Sequence, residues 1–377
     1  MVIPAQAGIR AFQLFLDSRL RGNDGNSYFS KVSDLYMNEK RQTVWPRVAV
    51  VIINWNGGKF IRRCLSALSE QTVTPHDIIV LDNASSDHSR DIVRDFPSVR
   101  LLAQKENIGF AGGNNLAVSA VLPDSEWIVL LNPDAFPTKQ WLEKLLLATF
   151  DHPDCAMFGS RLVAAIDPKV IDGEGDVYHI SGLAWRERHG HTVSDLNNEI
   201  KEIFSPCAAA AMYRKSAFLS AGGFDEDYFC YMEDIDLGFR LRLYGYRCFY
   251  VPESVVLHMG YATTGNSHSD FSVYYGHRNL VWTYVKNMPG ILLWLLLPFH
   301  LALNFITLIY FGLKGQGRII LRAKWDALCG IPRMWKKRRA IQHNRKVAVN
   351  HIWRLLNKRL IPSRNVLRLD ARRNNLA

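Results

Sequence analysis

The chain has 377 residues, 48% hydrophobic and 21% charged, with a net charge of +11; this describes one large or two ordinary folded domains and excludes an intrinsically disordered chain. Its six cysteines (Cys64, Cys155, Cys207, Cys230, Cys248, Cys329) include no Cys-x-x-Cys pair, which excludes a zinc pattern and a disulfide framework and points to free thiols in a reducing compartment. The basic charge belongs to the tail: from Lys314 onward 18 Lys/Arg meet two acids, and without that segment the chain carries −5.

In chain order, residues 1–36 show no helical or strand period and no secretory signal. They resemble translated bacterial intergenic repeat sequence, so Met37 is a candidate start and 1–36 a poorly structured extension. Val48–Asn54 is a continuous β-branched run, expected of a parallel strand buried on both faces. Gly57-Gly58 breaks it, and Phe60–Leu68 has helical spacing. Asp77–Leu81 is a second buried strand closing on Asp82-Asn83, Asp87–Phe96 a short helix and Val99–Leu102 a third strand. Gly109–Asn115 reads as a glycine-rich loop before a helix at Leu116–Val121. Trp127–Leu131 is a fourth strand ending at Asn132-Pro133-Asp134, with a helix at Trp141–Phe150 behind it. This alternation predicts a doubly wound α/β domain, whose functional residues gather at the carboxyl ends of its strands. Asn54, Asp82 and Asp134 sit at such ends. Phe158–Phe204 is irregular, a candidate acceptor-facing loop. Order returns at Ala208–Met212, followed by a helix from Glu233 to Tyr244 and short strands at Cys248–Val251 and Val255–His258.

No charged residue lies between Lys286 and Lys314, a run long enough to cross a bilayer. Positive residues flank it on both sides, and Pro298, His300 and Asn304 interrupt it. That pattern suits a segment lying in the interface or dipping in and returning through residues 289–312, at the cytoplasmic face of the inner (plasma) membrane. A buried helix of a soluble core is the alternative. The domain expectation is a catalytic domain at 45–275 and a helical, hydrophobic then basic, membrane-associating region at 276–377.

Several residues can carry chemistry. Asp82 can accept a hydrogen bond from the imide N–H of uracil or thymine, whereas Asp87 suits a helix cap equally well. Asp134 can ligate Mg²⁺ or Mn²⁺ together with diphosphate oxygens. Phe224–Asp236 interleaves six acids with aromatics, and carboxylates against aromatic walls have pKa values raised toward those of a working base. Arg240 and Arg242 pair some of those acids. His258, alone after an apolar strand, reads as structural on its own.

The runs VAVVIINWN (48–56), LDNASSD (81–87), ENIGFAGGNN (106–115), LLNPDA (130–135), GGFDEDYFCYMEDIDLGFRL (222–241) and YVPESVVLHMG (250–260), in this order, resemble the inverting family 2 glycosyltransferases, and among them the rhamnosyltransferase-like members. The resemblance spans Val48–Gly260. It implies a GT-A (nucleotide-diphospho-sugar transferase) fold with a Rossmann-like mixed sheet. It also implies a donor site from Asn54, Asn56, Asp82, Asn83, Gly109, Gly112, Gly113, Asn114 and Asn132, with Asp82 on the nucleobase. Asp134 becomes the metal aspartate and His258 its companion, the reverse of the structural reading of that histidine. Asn132 stands where many relatives have a second Asp, which leaves fewer charged ligands. Asp234 is the implied general base, and Glu233, Asp236, Asp225 and Trp185 are implied on the acceptor side. The implied donor is dTDP-rhamnose or a UDP-sugar, and the acceptor a lipid-linked saccharide or surface glycan.

Two other readings compete with sugar transfer. A nucleotidyltransferase acting on sugar phosphates would carry a basic glycine-rich loop after the first strand, where this chain has only Lys59 near Gly57-Gly58. A nucleic-acid-binding protein could use the tail around Trp335 and Trp353, but no reader of bases is evident, and the apolar run favours membrane over nucleic acid.

Overall fold

The structure, a computed structural model, describes residues 44–195, 198–260 and 269–359. The expected extension at 1–36 and the basic residues from 360 onward lie outside the described residues. Residues from Arg47 belong to one unit.

Four strands run parallel in the order β3-β2-β1-β4: β1 (Val48–Asn54), β2 (Asp77–Asp82), β3 (Arg100–Ala103) and β4 (Trp127–Leu131). Every residue of β1, β2 and β4 is buried, as their unbroken apolar runs require. Beyond β4 the sheet becomes mixed. The short β5 (Ala135–Pro137) follows β4, and the long β6 (Cys155–Ala164) carries the antiparallel β7 (Ile171–Gly173). A separate hairpin joins β8 (Asp176–Tyr178) to β9 (Ala184–Arg186). The edge strand β10 (Lys201–Glu202), β11 (Ala210–Arg214) and β12 (Arg247–His258) complete the order β10-β12-β6-β11-β4. The stretch expected to be irregular thus holds a fully buried strand, β6. The two strands expected near the end are one, β12, with a register shift between Val251 and Val255, where Pro252 has no N–H to give the ladder.

Helices α1 (Ile61–Ser69), α2 (Ser89–Arg94), α3 (Gly109–Ser119) and α4 (Trp141–Asp151) connect the parallel strands. The expected glycine loop is therefore the first turns of α3. Glycine serves close approach here: a Cβ on Gly109, at φ +78°, would lie 2.6 Å from the Phe229 carbonyl oxygen, and one on Gly113 would lie 3.0 Å from Ile53. α5 (Lys215–Ser220) precedes α6 (Glu233–Leu243).

α6 is buried on two sides, and its sequence spacing shows how. Leu237 and Leu241, four apart, join the sheet-side core with Val51, Ile53 and Leu81. Ile235, Phe239 and Leu243 form the opposite stripe, packed with Tyr178, Phe204, Tyr284 and Ile341. Tyr284 belongs to α7 (Asp270–Asn287) and Ile341 to α10 (Gly317–His343). The expected domain boundary at 275/276 therefore falls inside α7, whose length packs along α10. Between them lie α8 (Leu292–Leu295) and α9 (Leu297–Leu313), and α11 (Val349–Leu355) follows. Among the described residues no helix is long and apolar enough to cross a membrane.

Candidate active site

A cavity of about 440 Å³ opens at the carboxyl ends of β1 and β4, in the crevice where strand order reverses. Ile53, Trp55, Asn83, Asn107 and Gly109 form one wall; Asn132, Asp134, Arg186 and His258 another; Cys207–Ala209, Phe229–Asp234, Phe271 and Tyr275 the third.

Sheet register assembles the second wall. β12 lies antiparallel to β5 with His258 opposite Ala135, and the Met259 N–H donates to the Asp134 carbonyl at 3.1 Å. This sets His258 Nε2 3.6 Å from Asp134 Oδ1. β6, parallel to β12, carries β7 on its other side and so brings Asp172 to His258, with Nδ1 2.7 Å from Asp172 Oδ2. Arg186 holds the same carboxylate at 2.5 Å. Burial works against the charged forms of both groups. Even so, Arg186 and His258 hold Asp172 well below the usual carboxylate range, and Asp134 and Asp172 raise His258 to about 9. His258 Nε2 is buried without a hydrogen-bond partner. An imidazole fixed by a carboxylate on one nitrogen, with the other idle beside a second carboxylate, fits a divalent cation.

The third wall carries the acids. Asp234, in the first turn of α6, accepts from the Ala208 N–H at 3.2 Å and the Ile235 N–H at 2.8 Å. Burial raises its pKa against those two bonds. Glu233 is buried with Oε2 unpartnered, and burial and the Asp234 charge push it well above the ordinary glutamate value. Asp176, Cys207 and Asp234 bring one atom each within 4.8 Å of one another, and the Arg186 charge faces all three.

Not every expected residue reaches the cavity. Asn83, Gly109, Asn132, Asp134, Glu233, Asp234 and His258 line it. Asn83 fastens the start of α3, donating to Asn107 Oδ1 at 2.8 Å and to the Gly109 carbonyl at 3.0 Å. Asp82 is fully buried: Oδ1 accepts from Asn54 at 3.0 Å, and Oδ2 from Arg90 at 2.5 Å and the Ser85 N–H at 3.1 Å. Asn54 lies beside it, Asn56 bonds the Ser86 N–H at 2.8 Å, and Gly112, Gly113 and Asn114 pack within α3.

Three of the residues expected on the acceptor side lie away from this cavity. Asp236 is fully buried between Arg240 (2.8 Å) and Lys286 (2.7 Å). Asp225 pairs with Lys286 at 2.6 Å and with Lys337. Trp185 stands on β9 beside His179, with ring centroids 6.0 Å apart. None of the three lines the cavity; Asp236 is held in an ion pair that ties α6 to α7, and Asp225 in pairs that tie the segment before α6 to α7 and α10. Sequence reasoning missed Asp172, Asp176 and Arg186. The one signal was acids between glycines in Asp172-Gly-Glu-Gly-Asp176, inside the segment read as irregular.

Residues 49–220 match the family model described as glycosyl transferase family 2. The chain is 29% identical over 249 residues to an N-acetylglucosaminyl-diphospho-decaprenol L-rhamnosyltransferase of Mycobacterium tuberculosis, covering 57% of this chain and 77% of that protein. It is 26% identical over 216 residues to the O-antigen chain rhamnosyltransferase RfbN of Salmonella typhimurium, covering 56% and 66%. Among solved structures, S. aureus TarS 1–349 superposes with a TM-score of 0.52 at 14% identity, over 81% of this chain and 88% of that one. GalNAc-T7, solved with UDP, GalNAc and Mn²⁺, gives 0.53 at 14% identity over 64% of this chain, which spans 48% of that structure's length. At such identities the shared property is the fold, a GT-A-like mixed sheet. The family model and the two rhamnosyltransferase relatives favour sugar transfer over the nucleotidyltransferase and nucleic-acid alternatives. The chain is a glycosyltransferase, similar over residues 49–220 to glycosyl transferase family 2.

Proposed function

We propose that the chain transfers rhamnose, with inversion, from a thymidine diphosphate donor to a lipid-linked saccharide, Asp234 acting as general base. The observation that carries this reading is Asp234 itself, a carboxylate of raised pKa lining the same cavity as Asn83, Gly109 and Asp134, together with the rhamnosyltransferase names of two relatives. The acceptor hydroxyl gives its proton to Asp234 as its oxygen attacks the anomeric carbon. The bond to the diphosphate breaks, and its electron pair leaves with the nucleotide. Asp134 and His258 would hold a divalent cation, which when bound supplies charge neutralisation for the leaving diphosphate. Asp82 keeps acceptor capacity on Oδ1 for a nucleobase N–H, but its fully buried carboxylate would first have to become accessible. Asp234→Asn is expected to abolish transfer while nucleotide affinity stays within about threefold; wild-type turnover in that variant refutes the base. A thermal-shift panel of dTDP- and UDP-sugars, with and without Mn²⁺, identifies the donor.

The same reading includes attachment at the cytoplasmic membrane face through residues 289–312. In α9 only His300 and Phe311 are buried, and Trp294, Leu301, Phe305, Ile306 and Leu313 are exposed. Such an apolar face with Lys314, Arg318 and Arg322 beside it suits an anionic bilayer interface. Flotation with anionic vesicles should carry the protein up and should fail for Phe305→Asp/Ile306→Asp; equal flotation of that variant rejects this surface.

A further inference from the structure

The loop in front of the catalytic acids is built against backbone preference. Phe229, Tyr231 and Met232 have φ of 63°, 67° and 69°, a region that non-glycine residues occupy only when their surroundings force it. Met232 is the residue from which α6 starts, so this loop sets where Glu233 and Asp234 point. Three sets of donors, from two helices, hold it. From α3, the N–H groups of Phe110 and Ala111 donate to the Phe229 carbonyl at 2.7 and 3.2 Å. From α7, Arg278 donates to the carbonyls of Asp227 and Tyr228 at 2.8 and 3.0 Å. The third holder is Asn279, also on α7.

Asn279 is fully buried. Its Nδ2 lies 3.0 Å from the Tyr228 carbonyl, 2.9 Å from that of Cys230 and 2.8 Å from that of Tyr231. Its Oδ1 accepts from Arg278 Nε at 2.9 Å. Three carbonyl oxygens on one side and a guanidinium on the other fix the orientation of the amide. The carbonyls converge on Asn279 because the left-handed residues turn them that way. Without Asn279 the Cys230 and Tyr231 carbonyls would lose this donor, leaving Arg278 and the Cys230 N–H to hold only the Tyr228 carbonyl, and the loop would lose a main tie that keeps it left-handed.

We propose that Asn279 is a positioning residue for transfer: its amide locks the left-handed loop 229–232 and thereby aims Asp234 into the cavity, making α7 part of the catalytic apparatus. The inference rests on the reading of Asp234 as base. It also reassigns a helix that the sequence had left to membrane association.

Asn279→Asp keeps the shape and, ionised, removes the donors; Asn279→Ala removes the group; Asn279→Ser leaves one short donor. At a temperature well below each variant's unfolding midpoint, kcat should fall about 100-fold for Asp and Ala and less for Ser. Nucleotide affinity and binding stoichiometry should stay within about twofold. A purely structural role would lower the binding-competent fraction and kcat together. Hydrogen exchange of amides 230–236 should quicken in the Ala variant relative to wild type. That readout does not depend on which residue is the base, whereas Asp234→Asn tested alongside fails on its own if the base is elsewhere. Unchanged exchange, kcat within threefold of wild type, or activity lost only in step with binding stoichiometry would overturn the proposal.

Discussion

Lys286→Met tests whether the buried acids behind Asp234 are architecture. Lys286 is 1% exposed and pairs with Asp225 at 2.6 Å and Asp236 at 2.7 Å. Methionine matches its length but leaves two buried carboxylates without their shared cation. Removing one partner of a buried pair costs about 3–5 kcal/mol. Arg240 still holds Asp236 and Lys337 still holds Asp225, so the lower end, about 3 kcal/mol, is expected. At ~2–4 °C per kcal/mol for a domain of this class, the melting point should drop by roughly 6–12 °C. Adding Asp236→Asn should recover part of the loss, a coupling of at least ~1 kcal/mol. The pH dependence has a definite sign. Burial would raise Asp225, but Lys286 and Lys337 hold it well below the ordinary aspartate value. Its contribution is therefore present above the unfolded pKa and is lost as pH falls toward the folded one. The gap between wild type and Lys286→Met should be full near neutrality and narrow below about pH 4. Urea titrations of both proteins across that range measure it. A deficit under ~1 kcal/mol at pH 7, or one that widens on acidification, would refute the reasoning.

Asp172→Asn removes the charge behind His258 and should weaken Mn²⁺ binding by about 10–100-fold, read by calorimetry in the presence of nucleoside diphosphate; unchanged affinity would detach Asp172 from the cation. Because the base must be ionised and burial raises Asp234 above its ordinary value of 3.8, kcat/KM should fall on acidification with a midpoint above that value, and Asp234→Asn should leave no such limb in its residual rate.

How much of this was legible in the sequence depends on what each residue's role requires. β1, β2 and β4 were legible because a strand buried on both faces has no choice but an apolar run, and Asp134 followed from its place after one. β6 escaped because its buried run contains Ser160 and Arg161, which the fold satisfies at long range: Trp141 Nε1 donates to Ser160 at 2.8 Å, and Arg161 Nε donates to the Tyr250 hydroxyl at 2.7 Å. Without β6 there was no way to see that β7 would deliver Asp172 to His258. The start of α3 was misread because three glycines in five residues signal a loop locally, whereas here they let a helix lie against Ile53 and Phe229.

The acidic run shows most sharply where local pattern stops. Glu233, Asp234 and Asp236 lie within four residues, less than one full turn of helix, and composition makes them equivalent. Helix geometry separates them: Asp236 points to the side where Arg240, four residues on, and Lys286 neutralise it, while Asp234 points to the cavity, where two backbone N–H groups and no lysine meet it. A carboxylate paired with a buried cation has its pKa driven down and is spent as a base. One held by backbone dipoles in a buried wall remains an anion of raised basicity. Division of labour within the run therefore comes from which faces of α6 the C-terminal helices cover. Lys286, Asn287 and Asn279 all reside on α7, so deleting that helix should cost the enzyme its base geometry before it costs the sheet its fold.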